Sequence, residues 1–139
     1  MMIYYSKVSF TLLIIIFIVF FGPVIPSYLD YGFNSNLFLI TLVLILIYGF
    51  ILHMFFNTTY TIKDEKLYIK CGFFNYKPIA ISEMKKVSNS SSIISSPAAS
   101  FDRIEITYGK FDELIISPKD KTKFVDDLQK INPELINKL

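Results

Sequence analysis

Two kinds of hydrophobic pattern divide the chain. From Val8 to Leu29 no side chain is charged, and Leu12 to Phe21 is almost wholly Leu, Ile, Val and Phe. Leu37 to Phe56 repeats this, relieved only by Thr41, Tyr48, Gly49 and His53. A helix needs about 20 apolar residues to cross a hydrocarbon core of about 30 Å, and each run has that length. Backbone groups in lipid must pair within their own segment, so both runs are expected to be helices, about 8–29 and 37–56. Gly22, Pro23 and Pro26 are expected to kink or end the first. Ser27–Asn36 has turn residues, and Tyr4, Tyr5 and Tyr28 suit a membrane interface. Residues 1–56 are thus predicted to form a transmembrane helical hairpin.

After Asn57 the period changes. Thr59–Lys63 alternates, Asp64–Glu65 turns, and Lys66–Lys70 alternates again. Period two with aromatic and β-branched residues predicts a β-hairpin, with Tyr60, Ile62, Leu67 and Ile69 on one face and Lys63, Tyr68 and Lys70 on the other. Cys71–Asn75 is expected to turn, Tyr76–Ile81 to form a third strand made irregular by Pro78, and Met84–Val87 a short fourth. The serine-rich Ser88–Ser100 reads as a loop. Arg103–Tyr108 and Glu113–Ser117 flank a turn and form a second hairpin. A helix should follow, with Ser117 as N-cap, Pro118 at its first position and Asp120 in its first turn. Phe124, Leu128 and Ile131, with Val125 beside them, give it one apolar stripe, and Asn132-Pro133 stops it. Residues 57–139 are therefore predicted to be a small antiparallel sheet domain, α+β in class, closed by a C-terminal helix.

Charge sharpens this division. Residues 1–56 contain only Lys7 and Asp30, so the second part holds all but one of the 14 Lys and Arg and all but one of the 12 Asp and Glu. The mean hydropathy of +0.47 averages two different materials. High hydrophobicity excludes disorder for most of the chain. One cysteine excludes a disulfide scaffold, and one Cys with one His cannot complete a zinc site. A net charge of +2 gives no basis for nucleic-acid binding. The first apolar run exceeds a signal peptide's usual length, and no small-x-small cleavage site follows, so it reads as a retained anchor. Lys7 before the hairpin, and Lys63, Lys66 and Lys70 after it, place both termini in the cytoplasm under the positive-inside rule.

Candidate chemistry is sparse. The sole histidine, His53, lies in an apolar run with no carboxylate partner, so a neutral imidazole is preferred there over a proton or ligand site. A hydrolytic triad therefore lacks its base, and the five glycines form no phosphate loop. The carboxylate pairs Asp64-Glu65 and Asp112-Glu113 fall at turns, and Asp126-Asp127 is expected on the solvent side of the helix. Cys71 is expected to be packed or idle, with no second cysteine to resolve it. No enzyme activity, metal or cofactor is expected.

The order of elements, hairpins closed by a C-terminal helix, resembles pleckstrin-homology (PH) domains. The local words Leu67-Tyr68-Ile69-Lys70-Cys71-Gly72, Ser95-Ser96-Pro97-Ala98-Ala99-Ser100-Phe101-Asp102-Arg103 and Ile115-Ile116-Ser117-Pro118-Lys119-Asp120 resemble the bacterial PH-like family of the YyaB-like type. Ala99 departs from it, since the family usually has Leu there. The resemblance spans about Asn57 to Glu134 and implies two N-terminal transmembrane helices before a PH-like sheet. A related group resembles immunity proteins of lantibiotic or glycocin producers.

Two groups of residues are candidates for binding. Arg103 is the only arginine, the residue type suited to bidentate contact with carboxylate or phosphate. With Asp102 and the hydroxyls of Ser95, Ser96 and Ser100 it could contact an anion or a partner; the preferred reading is structural, with Asp102 or Ser100 bonding loop N–H groups and Arg103 in an internal ion pair. Lys63, Lys66, Lys70, Lys77, Lys85 and Lys86 could attract anionic lipid, although Asp64, Glu65 and Glu83 dilute them and topology alone explains them. The expected function is a non-enzymatic, membrane-anchored PH-like module that binds a protein partner or lipid head groups at the inner membrane face. The alternatives are immunity against a lantibiotic- or glycocin-type bacteriocin and a structural subunit of a membrane complex.

Overall fold

The computed structural model describes residues 1–92 and 99–139. Strand β1 (Met2–Tyr5) opens the chain and is followed by helices α1 (Phe10–Phe21), α2 (Val24–Tyr31) and α3 (Ser35–Phe56). Ser9 starts α1 by accepting the Leu12 N–H at 3.3 Å, and Asn34 starts α3 by accepting that of Leu37 at 2.9 Å. The first apolar run breaks between α1 and α2 at Gly22-Pro23, where proline has no N–H to continue the ladder. Together the runs Phe10–Tyr31 and Ser35–Phe56 are long and apolar enough to cross a membrane. Leu13 is the one buried side chain of the three helices.

The β domain begins directly after α3. Strands β2 (Thr58–Lys63) and β3 (Lys66–Cys71) form the expected hairpin, with Asp64 and Glu65 both at positive φ. Positive φ at both turn residues matches the right-handed twist of the strands, which explains the conformation even without glycine. Two short pieces pair with β3: β4 (Phe74–Asn75), inside the expected Cys71–Asn75 turn, and β5 (Ile79–Ala80), all that forms of the strand expected over Tyr76–Ile81. Pro78 lies between them and cannot donate to a ladder.

The second sheet has the order β8-β7-β6-β9, built from β6 (Met84–Ser90), β7 (Arg103–Tyr108), β8 (Asp112–Ile116) and β9 (Ile136–Lys138). β6 runs to Ser90, so Ser88–Ser90 are strand, where the sequence suggested loop, paired with Glu105, Ile104 and Arg103. β9 adds a parallel strand that the sequence did not announce. Helix α4 (Lys121–Ile131) starts later than expected: Asp120 is the N-cap, accepting the Lys123 N–H at 3.0 Å. Ser117 and Pro118 are buried instead, and Pro118 bridges to Ser6. Asn132 ends the helix and its amide donates to the carbonyls of Ile81 and Met84, both at 2.9 Å.

One core lies between the two sheets and α4. Tyr60, Ile62, Leu67 and Ile69 meet Val87, Ile104, Ile106 and Ile116, with Phe124, Val125 and Leu128 closing one side. Each such side chain contributes about 1.5–3 kcal/mol by leaving water.

The first strand departs most from expectation. β1 pairs antiparallel with β2, placing Tyr4 opposite Tyr60. On its other side Lys7 N–H donates to the Ser117 carbonyl at 2.7 Å, and Lys119 N–H to that of Tyr5 at 3.0 Å. Residues 2–7 therefore bridge the two sheets, although they precede the helices in sequence.

Candidate functional site

Asp102 and Arg103 adjoin in sequence but enter different networks. Arg103 is buried at the start of β7. Its Nε donates to the Ser100 carbonyl at 2.5 Å and a terminal nitrogen donates to the Ser92 carbonyl at 2.9 Å. These bonds gather the two ends of the serine segment. Ser100 Oγ accepts the Asp102 N–H at 3.2 Å. Asp102 points outward to Lys7 Nζ at 2.8 Å and to Lys121. Hydrogen bonds from Lys121 and then Lys7 hold its carboxyl below the usual range, against a smaller opposing effect of burial. The Ser9 N–H bonds the Ala99 carbonyl at 3.0 Å, so this loop base sits at the start of α1. The geometry fastens a loop; the expected internal ion pair of Arg103 is replaced, in these bonds, by contacts with carbonyl oxygens. Ser95 and Ser96 lie outside the described residues.

The six candidate lysines do not share one patch. Lys70 stands opposite Thr59, whereas Lys63 and Lys66 face each other at the far end of the same hairpin. Four residues of strand, about 13 Å, separate these positions. Lys77 lies between β4 and β5, and Lys85 and Lys86 belong to β6 in the second sheet. Proximity in sequence concealed this because the chain doubles back twice.

A different grouping forms where α3 meets the first sheet. Tyr5, Thr59, Lys70 and Asn75 stand in one row across β1, β2, β3 and β4. Their neighbours Tyr4, Tyr60 and Ile69 point into the core, so period two turns this row outward. The β3–β4 turn packs on the last turns of α3. Gly72 has φ 57°, and a Cβ there would lie 3.2 Å from Met54 Cα, so glycine meets both the conformation and the approach. The turn carries Phe73 onto His53, with ring centroids 4.4 Å apart and planes at 21°. His53 is half-buried, and Asn57 Nδ2 lies 3.3 Å from its Nδ1. The resulting cleft of about 290 Å³ is lined by Tyr5, His53, Phe56, Asn57, Thr59, Lys70, Gly72 and Phe73. A second hollow of about 390 Å³ shares Thr59 and Lys70 and continues past Tyr68 and Tyr76 to Lys63.

The carboxylate expected in solvent on α4 is buried. Asp127 is 3% exposed and accepts hydrogen bonds from the Tyr4 hydroxyl and from Lys130 Nζ, the latter at 2.5 Å. Lys130, then Tyr4, lower its pKa, while burial opposes them. Burial, then the Asp127 hydrogen bond, push the Tyr4 phenol up to about 12. The helical stripe gave no sign of this, because the partner lies 123 residues away. Cys71 is buried, and its Sγ accepts the Thr58 hydroxyl at 3.3 Å. Among the described residues no three His, Cys, Asp or Glu side chains are grouped to hold a metal ion.

No curated protein and no solved structure matches the chain. The model of the bacterial PH domain family matches residues 58–132, from the start of β2 to the end of α4. β1, the apolar helices and β9 lie outside the matched residues. PH domains are generally non-catalytic binding modules. Over more than half its length the sequence matches this family and the strands and helix follow its plan: the chain belongs to the bacterial PH domain family.

Proposed function

We propose that this protein is a non-enzymatic module anchored in the bacterial cell membrane that binds a protein partner or lipid head groups at its inner face, with its β domain and both termini in the cytoplasm. The observation that carries this reading is the outward row Tyr5–Thr59–Lys70–Asn75, which begins at the ends of the apolar helices. Two of its strands continue into the hairpin within a few residues, β1 into α1 and α3 into β2. Helices of this length that expose apolar side chains all round call for lipid as their solvent. Lys7 and the β-domain lysines flank the hairpin, whereas residues 8–56 hold Asp30, near the end of α2, and no Lys or Arg, which supports cytoplasmic ends. The YyaB-like type is supported by the local words around Lys70, Asp102 and Pro118 together with the two apolar helices.

Alkaline carbonate extraction of bacterial membranes should leave the full chain in the pellet. Protease added to intact spheroplasts should spare the β domain, and protease added to inverted vesicles should digest it. Release by carbonate, or cleavage of the β domain from outside, overturns the proposal.

A further inference from the structure

The cleft between the end of α3 and the first sheet has the chemistry of a lipid head-group site. We propose that it binds one anionic glycerophospholipid, with the phosphate at Lys70 Nζ and the acyl chains running down past Phe56 and Phe73. This rests on the reading that α3 crosses the bilayer.

Three observations converge. First, the wall nearest the helices is apolar and open: Phe73 is 69% exposed and Phe56 54%. Phe73 is held by stacking on His53, with Phe50 at 6.3 Å on the same helix. Phe50 precedes the end of α3 by six residues, about 9 Å of helix. The β3–β4 turn therefore lies alongside the membrane-spanning segment, at the depth where hydrocarbon gives way to head groups. Second, the opposite wall is polar and cationic. Lys70 stands in the row with the Tyr5 phenol, the Thr59 hydroxyl and the Asn75 amide, and that row contains no acid. Among the described residues no carboxylate lies within ion-pair distance of Lys70, whereas Lys7, Lys63, Lys121 and Lys130 each have one. Third, the cleft is concave and continuous with the hollow above it, so a head group larger than a bare phosphate has room to extend up the sheet. An apolar wall below and a single uncompensated cation above match an amphiphile with one negative charge. Free phosphate would leave the aromatic wall in water.

The test uses the full chain in nanodiscs made from equal parts of phosphatidylcholine and phosphatidylglycerol, released into the gas phase for native mass spectrometry. The wild type should retain one phosphatidylglycerol in preference to phosphatidylcholine. Lys70→Gln should lower that adduct about fivefold, the equivalent of about 1 kcal/mol for one lysine at a lipid surface. Lys70→Arg should keep it, and Lys66→Gln, at the far end of the hairpin, and Lys85→Gln, in the second sheet, should leave it unchanged. An adduct unaffected by Lys70→Gln overturns the site. Equal losses in all three glutamine variants overturn it in favour of a diffuse field. Displacement by added inorganic phosphate assigns the site to free phosphate and overturns the lipid. A chain that never enters the nanodisc removes the anchoring reading itself, a failure distinct from these.

Discussion

Aliphatic side chains behave oppositely in the two regions of this molecule. In α3, Leu39, Ile45 and Leu46 are 59%, 52% and 67% exposed, whereas Ile104, Ile106 and Ile116 between the sheets are at 0%. The β domain hides its apolar residues by alternation, one face in and one face out. The helices have no polar face to turn outward, and packing within the chain buries only Leu13 among their side chains. The contrast does not make the regions separable, however, because the strand that closes the β domain comes from before the helices.

The largest effect should come from cutting along the boundary that composition suggests. A protein beginning at Asn57 lacks β1, and with it Tyr4, which packs edge-on against Phe124 at 5.1 Å. It also loses Ser6, whose hydroxyl lies 2.9 Å from that of Ser117 and accepts from Tyr60 at 3.2 Å. The first sheet then gains an open edge at β2, and Ser117–Lys119 lose their backbone partners. The truncated protein should show no cooperative thermal transition and should lose its near-ultraviolet circular dichroism. Joining residues 1–7 to residue 57 through a short Gly/Ser linker should restore both. That connection is short, since the Ser6 N–H already donates to the Thr58 carbonyl at 3.0 Å. A cooperative melt for the protein without β1 would show that the strand is dispensable.

That strand marks the limit of what the sequence made legible. The 58–71 hairpin was readable because its two halves alternate in register and adjoin. The α4 stripe was readable because helical period is local. β1 has only four residues, and its partner lies more than fifty residues away, so no local pattern identifies it. Its tyrosines equally suit a membrane interface. Ser117 and Pro118 look like a helix start, yet pairing with Ser6 and Lys7 keeps them extended. At the candidate site the types of residue were visible but their grouping was not. Lys70 was one of six lysines until the strand register set it apart, and Asp102 and Arg103 looked like a pair until strand geometry divided them.

The next effect compares two exposed apolar side chains, one on an apolar helix and one on the β domain. Leu46 and Phe111 are both well exposed, at 67% and 92%. If α3 lies in lipid, Leu46→Arg should cost about 2.5–3.5 kcal/mol of insertion free energy and shift the chain out of the carbonate-resistant pellet. Phe111→Lys, at the β7–β8 turn, should change stability by no more than about 0.5 kcal/mol. Equal tolerance at both positions would remove the distinction between the regions.

The seam between them carries two carboxylates of very different burial. Asp127→Ala leaves the Tyr4 hydroxyl buried without its acceptor, and should destabilise the β domain by about 1–3 kcal/mol in urea melts. Its pH dependence has two limits. The folded pKa of Asp127 is depressed, so its contribution is present above the unfolded value and is lost as pH falls through the folded one. The Tyr4 pKa is raised from 10.0 to about 12, so its contribution is full below pH 10 and lost as pH rises toward 12. The Asp127→Asn variant should lose the acid limb of this profile. An acid limb of unchanged size would place the acid sensitivity elsewhere.

The smallest effect belongs to Asp102, which fastens the same N-terminal segment from outside. Its side chain is 45% exposed and shared between Lys7 and Lys121. Solvent weakens such pairs, so Asp102→Asn should cost no more than about 1 kcal/mol, far less than the buried contact at Asp127. Its contribution also has a depressed folded pKa, so it is present above the unfolded carboxylate value and fades as pH falls through the folded one. Salt separates the two carboxylates more sharply than acid does. At about 1 M ionic strength the Debye length is about 3 Å, and the Asp102 increment should vanish. The Tyr4–Asp127 bond is shielded from ions by α4 and β1, so the Asp127→Ala increment should persist. Urea melts of both variants at low and high salt measure this. Equal salt sensitivity would mean that water and ions reach Tyr4, and that β1 is attached to the β domain only at its surface.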